Sequence, residues 1–335
     1  IWLFFNSSAL AVDRIPLTIP LLHERVTTPI LSDGVATIDL RNFTIDLTDN
    51  NSEFREQFYQ ILQNQITRSK KPLGLDLSES QIKGDFLGQR LGMVTLLSKA
   101  ALSTLLTPAE QELLQQDKKF SLVDSEQLSS VIVFRGGLKL LNTRFFGKVD
   151  FSKAFFLKPV EASTTYFFSD SIWIDTRFGR FTDFSRSLFA KEANFNQSRF
   201  LASAKFKQVQ FKGVSKWLDS CFDNDGIFTQ ADFTQMADFT NSQWLEDAIF
   251  NQTVWRDRLL FTESYFPQGI DFKNSTFEKS VVFRASYFNN IINFQDVKLL
   301  DQVDFSNAEF TEQASLNVSG LAFDSDKARI LGDAG

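Results

Sequence analysis

The sequence contains a single cysteine, Cys221, and a single histidine, His23. A disulfide framework needs paired cysteines, and zinc sites or Cys–His nucleophile pairs need several such side chains together. No phosphate-binding loop of the G-x-x-x-x-G-K-[ST] type occurs either. We therefore expect a protein that is not an enzyme and holds no cofactor or metal. A hydrolase built on paired carboxylates is the disfavoured alternative, because acidic residues are plentiful.

A strong excess of one charge is also missing, since the net charge is only −6. No strongly basic stretch indicates nucleic-acid binding, and nucleic acid is an unlikely partner. The apolar part of the stretch from about Arg90 to Leu106 is too short to span a membrane, and it carries Lys99.

Phenylalanine is abundant, with 38 residues, and it is periodic. From residue 127 to residue 324, large apolar residues fall alternately five and six apart. A fixed period of eleven residues, sustained this long, is typical of stacked repeat architectures. The clearest part of the series is Phe184, Phe189, Phe195, Phe200, Phe206, Phe211, Trp217, Phe222, Phe228, Phe233, Phe239 and Trp244.

The spacing excludes a helix, because a helical stripe needs apolar residues three and four apart. A small residue stands two positions before most of the large ones, as Ala193 does before Phe195. In an extended chain, residues two apart point the same way. Each unit is therefore a short extended segment with one small and one large side chain inward, followed by a turn.

The segments Ala231-Asp232-Phe233 and Ala237-Asp238-Phe239 fit the pattern A-(D/N)-(L/F)-x-x, and the chain resembles the pentapeptide-repeat family. The resemblance implies a right-handed, four-sided β-helix whose axis is filled by the large residues. Every second unit here has an extra residue, so four sides take 22 residues rather than 20. We predict nine coils forming a rod of about 40 Å. A coil of only eleven residues is the rival, but it is too tight for two Phe rings.

The residues flanking the repeat predict accessory elements. Residues 1–11 resemble the end of a signal peptide with an Ala-x-Ala cleavage site, although a buried first strand is the alternative. Export would place the protein outside the cytoplasm. Because pentapeptide-repeat chains are common in cyanobacteria, the resemblance suggests the periplasm or the thylakoid lumen. Residues 325–335 form a tail without a strong element.

Residues 12–126 are predicted to form a capping region with about three helices over the amino-terminal edge of the solenoid. A loop and one or two strands come first, up to residue 48. The first helix is expected to begin at Ser52. The second should run from about Arg90 to Leu106, and the third from the capping box at Thr107 to about Lys118. Leu75–Ile82 is expected to form a first, capping coil.

An acidic run follows a basic one in the repeat. No Lys or Arg lies between Lys216 and Arg256, and this stretch is a candidate contact face for a basic partner. The alternative is pairing between neighbouring coils, with Lys216 and Asp238 in register. The candidate acidic face consists of Asp219, Asp223, Asp225, Asp232, Asp238, Glu246 and Asp247.

The 22-residue coil also predicts an apolar ladder. Leu260 and Val282 stack one position before the inward Phe, and Tyr265 and Tyr287 stack at the equivalent position on the adjoining side. Outward aromatic and aliphatic residues in one patch can mark an interface. Ordinary packing along a strand face is the alternative.

Together these features favour a non-enzymatic, extracytoplasmic interaction or spacer module, whose partner is an unknown protein or a second copy. One alternative is the soluble head of a membrane protein, anchored through segments outside this sequence. Another, which the family resemblance implies, is a protein that mimics DNA and binds topoisomerases.

Overall fold

The computed structural model describes residues 14–104, 106–115 and 130–332. It is a right-handed, four-sided β-helix of about nine turns, as the repeat predicts. Each regular turn visits four sheets of mainly parallel strands in the same order, and we name these sheets faces 1 to 4. The predicted signal-peptide remnant, the start of the repeat at residues 127–129 and the end of the tail at residues 333–335 lie outside the described residues.

The strands are short, and most regular coils contribute two residues to each face. Face 1 consists of Ile30–Ser32, Val35–Asp39, Leu73–Asp76, Leu138–Lys139, Val160–Glu161, Thr182–Asp183, Ala204–Lys205, Gly226–Ile227, Ala248–Ile249, Ile270–Asp271, Ile291–Asn293 and Ser315–Asn317. Face 2 consists of Ile15–Pro16, Phe43–Asp46, Gln81–Lys83, Arg144–Phe145, Tyr166–Phe167, Leu188–Phe189, Gln210–Phe211, Asp232–Phe233, Val254–Trp255, Thr276–Phe277, Lys298–Leu299 and Ala322–Phe323.

The other two faces are built in the same way. Face 3 consists of Phe86–Leu87, Val149–Asp150, Ser171–Ile172, Ala193–Asn194, Ser215–Lys216, Ala237–Asp238, Leu259–Leu260, Val281–Val282, Gln302–Asp304 and Arg329–Leu331. Face 4 consists of Met93–Leu96, Ser130–Phe134, Ala154–Phe156, Arg177–Phe178, Arg199–Phe200, Cys221–Phe222, Gln243–Trp244, Tyr265–Phe266, Tyr287–Phe288 and Glu309–Phe310.

Aromatic rings fill the axis in columns, because residues 22 apart pair in register. On face 2, the ring centroids of Phe167 and Phe189 are 4.7 Å apart and the rings are nearly parallel. Rings from faces 1 and 3 meet edge to face across the axis, as Phe184 and Phe195 do at 5.8 Å and 83°. Both arrangements are favourable for aromatic pairs. The rings plug the axis, as predicted.

The corners explain the alternation of five and six residues. At the corners from face 1 to face 2 and from face 3 to face 4, where the spacing is five, every eleventh residue from Asn142 to Asn307 has a positive φ. At most of these corners the residue that follows closes a β-turn, as the Thr143 N–H does by donating to the Leu140 carbonyl at 3.0 Å. Counted between the inward residues on either side, these tight corners hold two residues, such as 141–142. The other two corners hold three, such as 146–148, and so accommodate the extra residue.

Inward hydroxyl groups satisfy the backbone at the tight corners. The Ser187 Oγ accepts a hydrogen bond from the Thr165 N–H at 3.0 Å and donates one to the Ala162 carbonyl at 2.6 Å. Buried indoles also bond to the small inward residue two positions before them. The Trp173 Nε1–H donates to the Ser171 Oγ at 2.7 Å. The Trp244 and Trp255 indoles donate in the same way to Ser242 and Thr253. Because an unpaired buried donor is costly, the hydroxyl residue before these three indoles has a structural reason.

The amino-terminal edge is covered by two helices, α1 (Ile19–Thr27) and α2 (Ser52–Arg68), the second preceded by a 3₁₀ turn at Asp49–Asn51. The α2 side chains join the main core. The Tyr59 hydroxyl accepts a hydrogen bond from the Leu87 N–H at 2.8 Å and donates one to the Asp85 carbonyl at 3.1 Å. Burial raises the pKa of Tyr59 to about 12. Thus α2 is bonded directly to the first coil.

The structure contains the helix predicted from Ser52 (α2), the predicted strands before residue 48 (Val35–Asp39 and Phe43–Asp46) and the coil at Leu75–Ile82, but two other predictions for the capping region are wrong. The sequence prediction missed α1, because Pro20 indicated a loop although proline is favoured in the first turn of a helix. The helix expected from about Arg90 to Leu106 is instead a 3₁₀ turn (Gly88–Arg90), a strand (Met93–Leu96) and the short helix α3 (Lys99–Ser103). That strand pairs antiparallel with Ser130–Phe134, which suits its β-branched residues.

Helix α4 (Pro108–Gln115) begins at the predicted capping box, whereas its expected extension to Lys118 lies outside the described residues. The Arg135 Nε donates to the Glu110 Oε1 at 2.9 Å. Burial alone would raise the pKa of Glu110, but hydrogen bonds from Arg135 and Thr107 hold it below its usual range.

The segment that contains α3 covers the side of the solenoid, and not only its edge as predicted. Its apolar residues pack on the outer side of face 4 and form a second core. That core consists of Leu97, Leu102, Leu106, Val131, Val133, Phe155 and Leu157.

The last coil departs from the predicted spacing. Ile292 pairs with Leu316 and Val303 pairs with Ile330, so more than 22 residues separate these partners. Phe310 and Phe323 are exposed, because no described strand pairs with the far edge of this coil. The last large residues that the sequence predicts to point inward, such as Phe310 and Leu316, are therefore partly exposed to solvent.

The positive-φ corners predict an unusual pair of stability changes. Thr164, a β-branched residue, has φ 57° and Asn274 has φ 59°. Asparagine tolerates this conformation better than threonine. We expect Thr164→Asn to raise the free energy of unfolding by about 1 kcal/mol and Asn274→Thr to lower it by a similar amount. Urea unfolding of both variants checks this, and a change of the same sign in both would contradict it.

Candidate functional site

The predicted apolar ladder is assembled in register on two adjoining faces. Tyr265 pairs with Tyr287 on face 4, and Leu260 pairs with Val282 on face 3. The two tyrosine rings stack with centroids 4.9 Å apart and planes at 21°. Tyr265 is 39% exposed, and the other three are half-buried. All four side chains reach the outer surface, where a partner could contact them.

A further exposed apolar residue, missed by the sequence prediction, lies beyond the next corner. Ile291 follows Tyr287 around the corner to face 1 and is 50% exposed, whereas its neighbour Ile292 is fully buried. Adjacent residues in a strand point to opposite sides, so only one of the Ile291-Ile292 pair can face the axis. The doublet was the signal that could have identified Ile291. We name Leu260, Tyr265, Val282 and Tyr287, which lie on the adjoining faces 3 and 4, the tyrosine patch.

The candidate acidic residues do not form one face. Asp223, Asp225, Glu246 and Asp247 lie on the corner between faces 4 and 1. The other members are dispersed: Asp219 lies on the corner between faces 3 and 4, Asp232 on face 2 and Asp238 on face 3. The dispersal follows from the coil, because eleven residues already cover half of its circumference.

Several of these carboxylates are engaged in polar contacts. The buried Arg199 donates to Asp223, with its Nη2 2.8 Å from Oδ2. The Cys221 Sγ lies 3.0 Å from the Asp223 Oδ1. Asp223 therefore acts mainly within the fold.

Pairing between coils accounts for further charges. Asp232 pairs with Arg256 at 2.8 Å. Lys216 and Asp238 are register neighbours as predicted, but the ion pair of Lys216 is with Glu192 at 2.8 Å.

The described ranges, which leave out residues 105 and 116–129 and both termini, contain no group of three or more His, Cys, Asp or Glu side chains that could hold a metal ion. His23 is exposed on α1. Within the same ranges, every helix falls short of the length and apolarity that crossing a membrane requires.

Comparison with protein families, with curated proteins and with solved structures returned no match for this chain.

Some of the acidic residues pair with buried groups and others are exposed to solvent. Replacing an acidic residue of each kind by asparagine should therefore change the free energy of unfolding by different amounts. Asp223→Asn leaves the buried Arg199 without its carboxylate, and we expect it to lower the free energy of unfolding by about 2 kcal/mol. Asp247→Asn, on the same corner but exposed, should change it by less than about 0.5 kcal/mol. Thermal unfolding of the two variants provides the comparison. Equal losses would contradict the assignment.

Proposed function

We propose that this chain is a non-enzymatic docking module, and that the tyrosine patch is the surface that binds a protein partner. The observation that carries the proposal is the stacked, outward pair Tyr265 and Tyr287. Tyrosine is enriched in protein interfaces because its ring contributes apolar area and its hydroxyl a hydrogen bond.

The scaffold supports docking because it holds these side chains in place. Tyr265 and Tyr287 stand on paired strands above buried Phe266 and Phe288. Little conformational entropy is lost when a partner contacts rings that are already ordered. Two adjoining faces of the β-helix therefore present the patch at low entropic cost.

The charges beside the patch indicate the chemistry of the partner. Exposed Glu263 and Glu309 flank the tyrosines, whereas the nearby Arg284 pairs with Asp304 at 2.7 Å. A partner with an apolar centre and a basic rim fits best. A second copy would place like charges together unless its contact used another surface.

The family and the cellular address belong to the same proposal. The Ala-Asp-Phe segments at residues 231–233 and 237–239 support membership of the pentapeptide-repeat family. The sequence of residues 1–11 supports an address outside the cytoplasm, in the periplasm or the thylakoid lumen. The soluble head of a membrane-anchored protein is a form of the same function.

DNA mimicry is the less supported alternative. A mimic needs a continuous acidic stripe along the rod, and the seven candidate acidic residues are spread over different faces and corners. Their pairing with Arg199 and Arg256 also reduces the negative charge that they present.

The test compares what the protein captures with and without the patch. We expect Tyr265→Ser/Tyr287→Ser to weaken binding of the partner at least about 30-fold, as loss of an aromatic centre does. Gln210→Ser, exposed on face 2, is the control and should leave capture unchanged. The measurement is chemical cross-linking and purification from native membranes, followed by titration with the purified partner.

Two outcomes would contradict the proposal. Capture of the same proteins by the double variant would remove the patch from the interaction. Loss of self-association in the double variant, seen by sedimentation, would show that the occupant is a second copy. Unchanged thermal unfolding of the variants confirms that the fold is intact.

A further inference from the structure

Three pairs of adjacent phenylalanines occur in the first regular coils: Phe145-Phe146, Phe155-Phe156 and Phe167-Phe168. In each pair one ring fills the axis, because neighbouring residues point to opposite sides. The outer ring of the second pair, Phe155, is buried in the second core on face 4. Phe146 and Phe168 are not covered in this way and are 47% and 37% exposed.

The exposed rings form a ridge along the corner between faces 2 and 3. The centroids of Phe146 and Phe168 are 5.1 Å apart, with planes at 21°. Tyr166, on face 2, stacks on Phe168 at 6.1 Å. Leu188, the next residue along the outer ladder of face 2, is half-buried. An apolar edge therefore borders a flat face of the rod.

The same face carries mostly positive charge. We name residues 141–148, 163–170, 185–192 and 207–214, which form face 2 and its two corners over four coils, the basic face. Its acidic residues are Asp170 and Glu192, and Glu192 pairs with Lys216 at 2.8 Å. Its basic residues are Arg144, Lys148, Arg186, Lys191, Lys207 and Lys212.

The combination differs from the tyrosine patch in both charge and shape. The tyrosine patch has acidic neighbours, whereas the Phe146–Phe168 ridge projects from a corner and borders a basic surface. Aromatic rings beside basic side chains suit the headgroup region of a bilayer, where the rings enter the apolar boundary and the cations meet anionic lipid. A flat face and a straight ridge match a planar surface.

We propose that the basic face binds the surface of a membrane containing anionic lipid, with Phe146 and Phe168 inserted at the boundary between headgroups and acyl chains. Phe146 and Phe168 stack on each other at 5.1 Å and leave no gap between them for a base, so nucleic acid is the less fitting occupant. The inference is independent of the protein-docking function, because it uses a different face.

The first test is co-sedimentation of the whole chain with lipid vesicles. Vesicles of phosphatidylcholine are compared with vesicles containing about 30 mol% phosphatidylglycerol, at low and high salt. We expect binding to the anionic vesicles that weakens with salt. Phe146→Ser/Phe168→Ser should bind at least about tenfold more weakly, because two apolar rings are removed. The matched control, Leu31→Ser/Val94→Ser, removes exposed apolar side chains from faces 1 and 4 and should bind like the unmodified chain.

A second measurement places the ridge itself at the membrane. In Phe168→Trp, the new indole should be quenched by brominated lipid in anionic vesicles beyond any quenching of the unmodified chain, whose Trp173, Trp217, Trp244 and Trp255 are buried.

The proposal is overturned by any of three results: no binding to the anionic vesicles, equal binding by the phenylalanine double variant with unchanged unfolding, or absence of the additional quenching. Salt-sensitive binding to a DNA oligonucleotide, without vesicle binding, would assign the basic face to nucleic acid instead.

Discussion

Stacking of inward rings from one coil to the next is the interaction on which this structure depends. Each face contributes one small and one large inward residue to a regular coil, and the large ones form columns such as Phe178–Phe200–Phe222, with centroids 4.6–4.7 Å apart. Burial of each Phe contributes about 1.5–3 kcal/mol, and the backbone ladders keep the columns aligned. Because the inward positions are fixed, every outward position is fixed as well, and the surfaces follow from the core.

Much of this could be predicted from the sequence. Spacings of five and six residues cannot form a helical stripe, and a large residue two after a small one requires an extended segment. The corners could not be predicted, because residues as different as Lys153, Thr164, Asn274 and Ala285 all take positive φ there. The geometry of the coil imposes that backbone conformation, and the corner residues are not the glycines that usually favour it. Helix α1 and the strand Met93–Leu96 were missed because their local signals were ambiguous.

The surfaces were partly predictable for the same reason. Tyr265 and Tyr287 could be placed together because the 22-residue coil sets their register. The acidic residues appeared clustered in the sequence, but the winding of the chain distributes them around the rod. Phe146, Phe168 and Ile291 were missed although each belongs to an adjacent apolar pair, of which only one member can face the axis. Such doublets are the most direct sequence signal for exposed apolar residues in this architecture.

The central claim is that one coil takes 22 residues, so that residues 22 apart are neighbours and residues eleven apart lie on opposite faces. Disulfide formation measures this directly in a Cys221→Ser background. Gln210→Cys/Asp232→Cys joins register partners on face 2, at a Cα separation of about 4.8 Å that a disulfide can span. Asp232→Cys/Gln243→Cys places the two thiols on faces 2 and 4. The account predicts an intrachain disulfide under mild oxidation in the first variant and none in the second, and the reverse result would support coils of eleven residues.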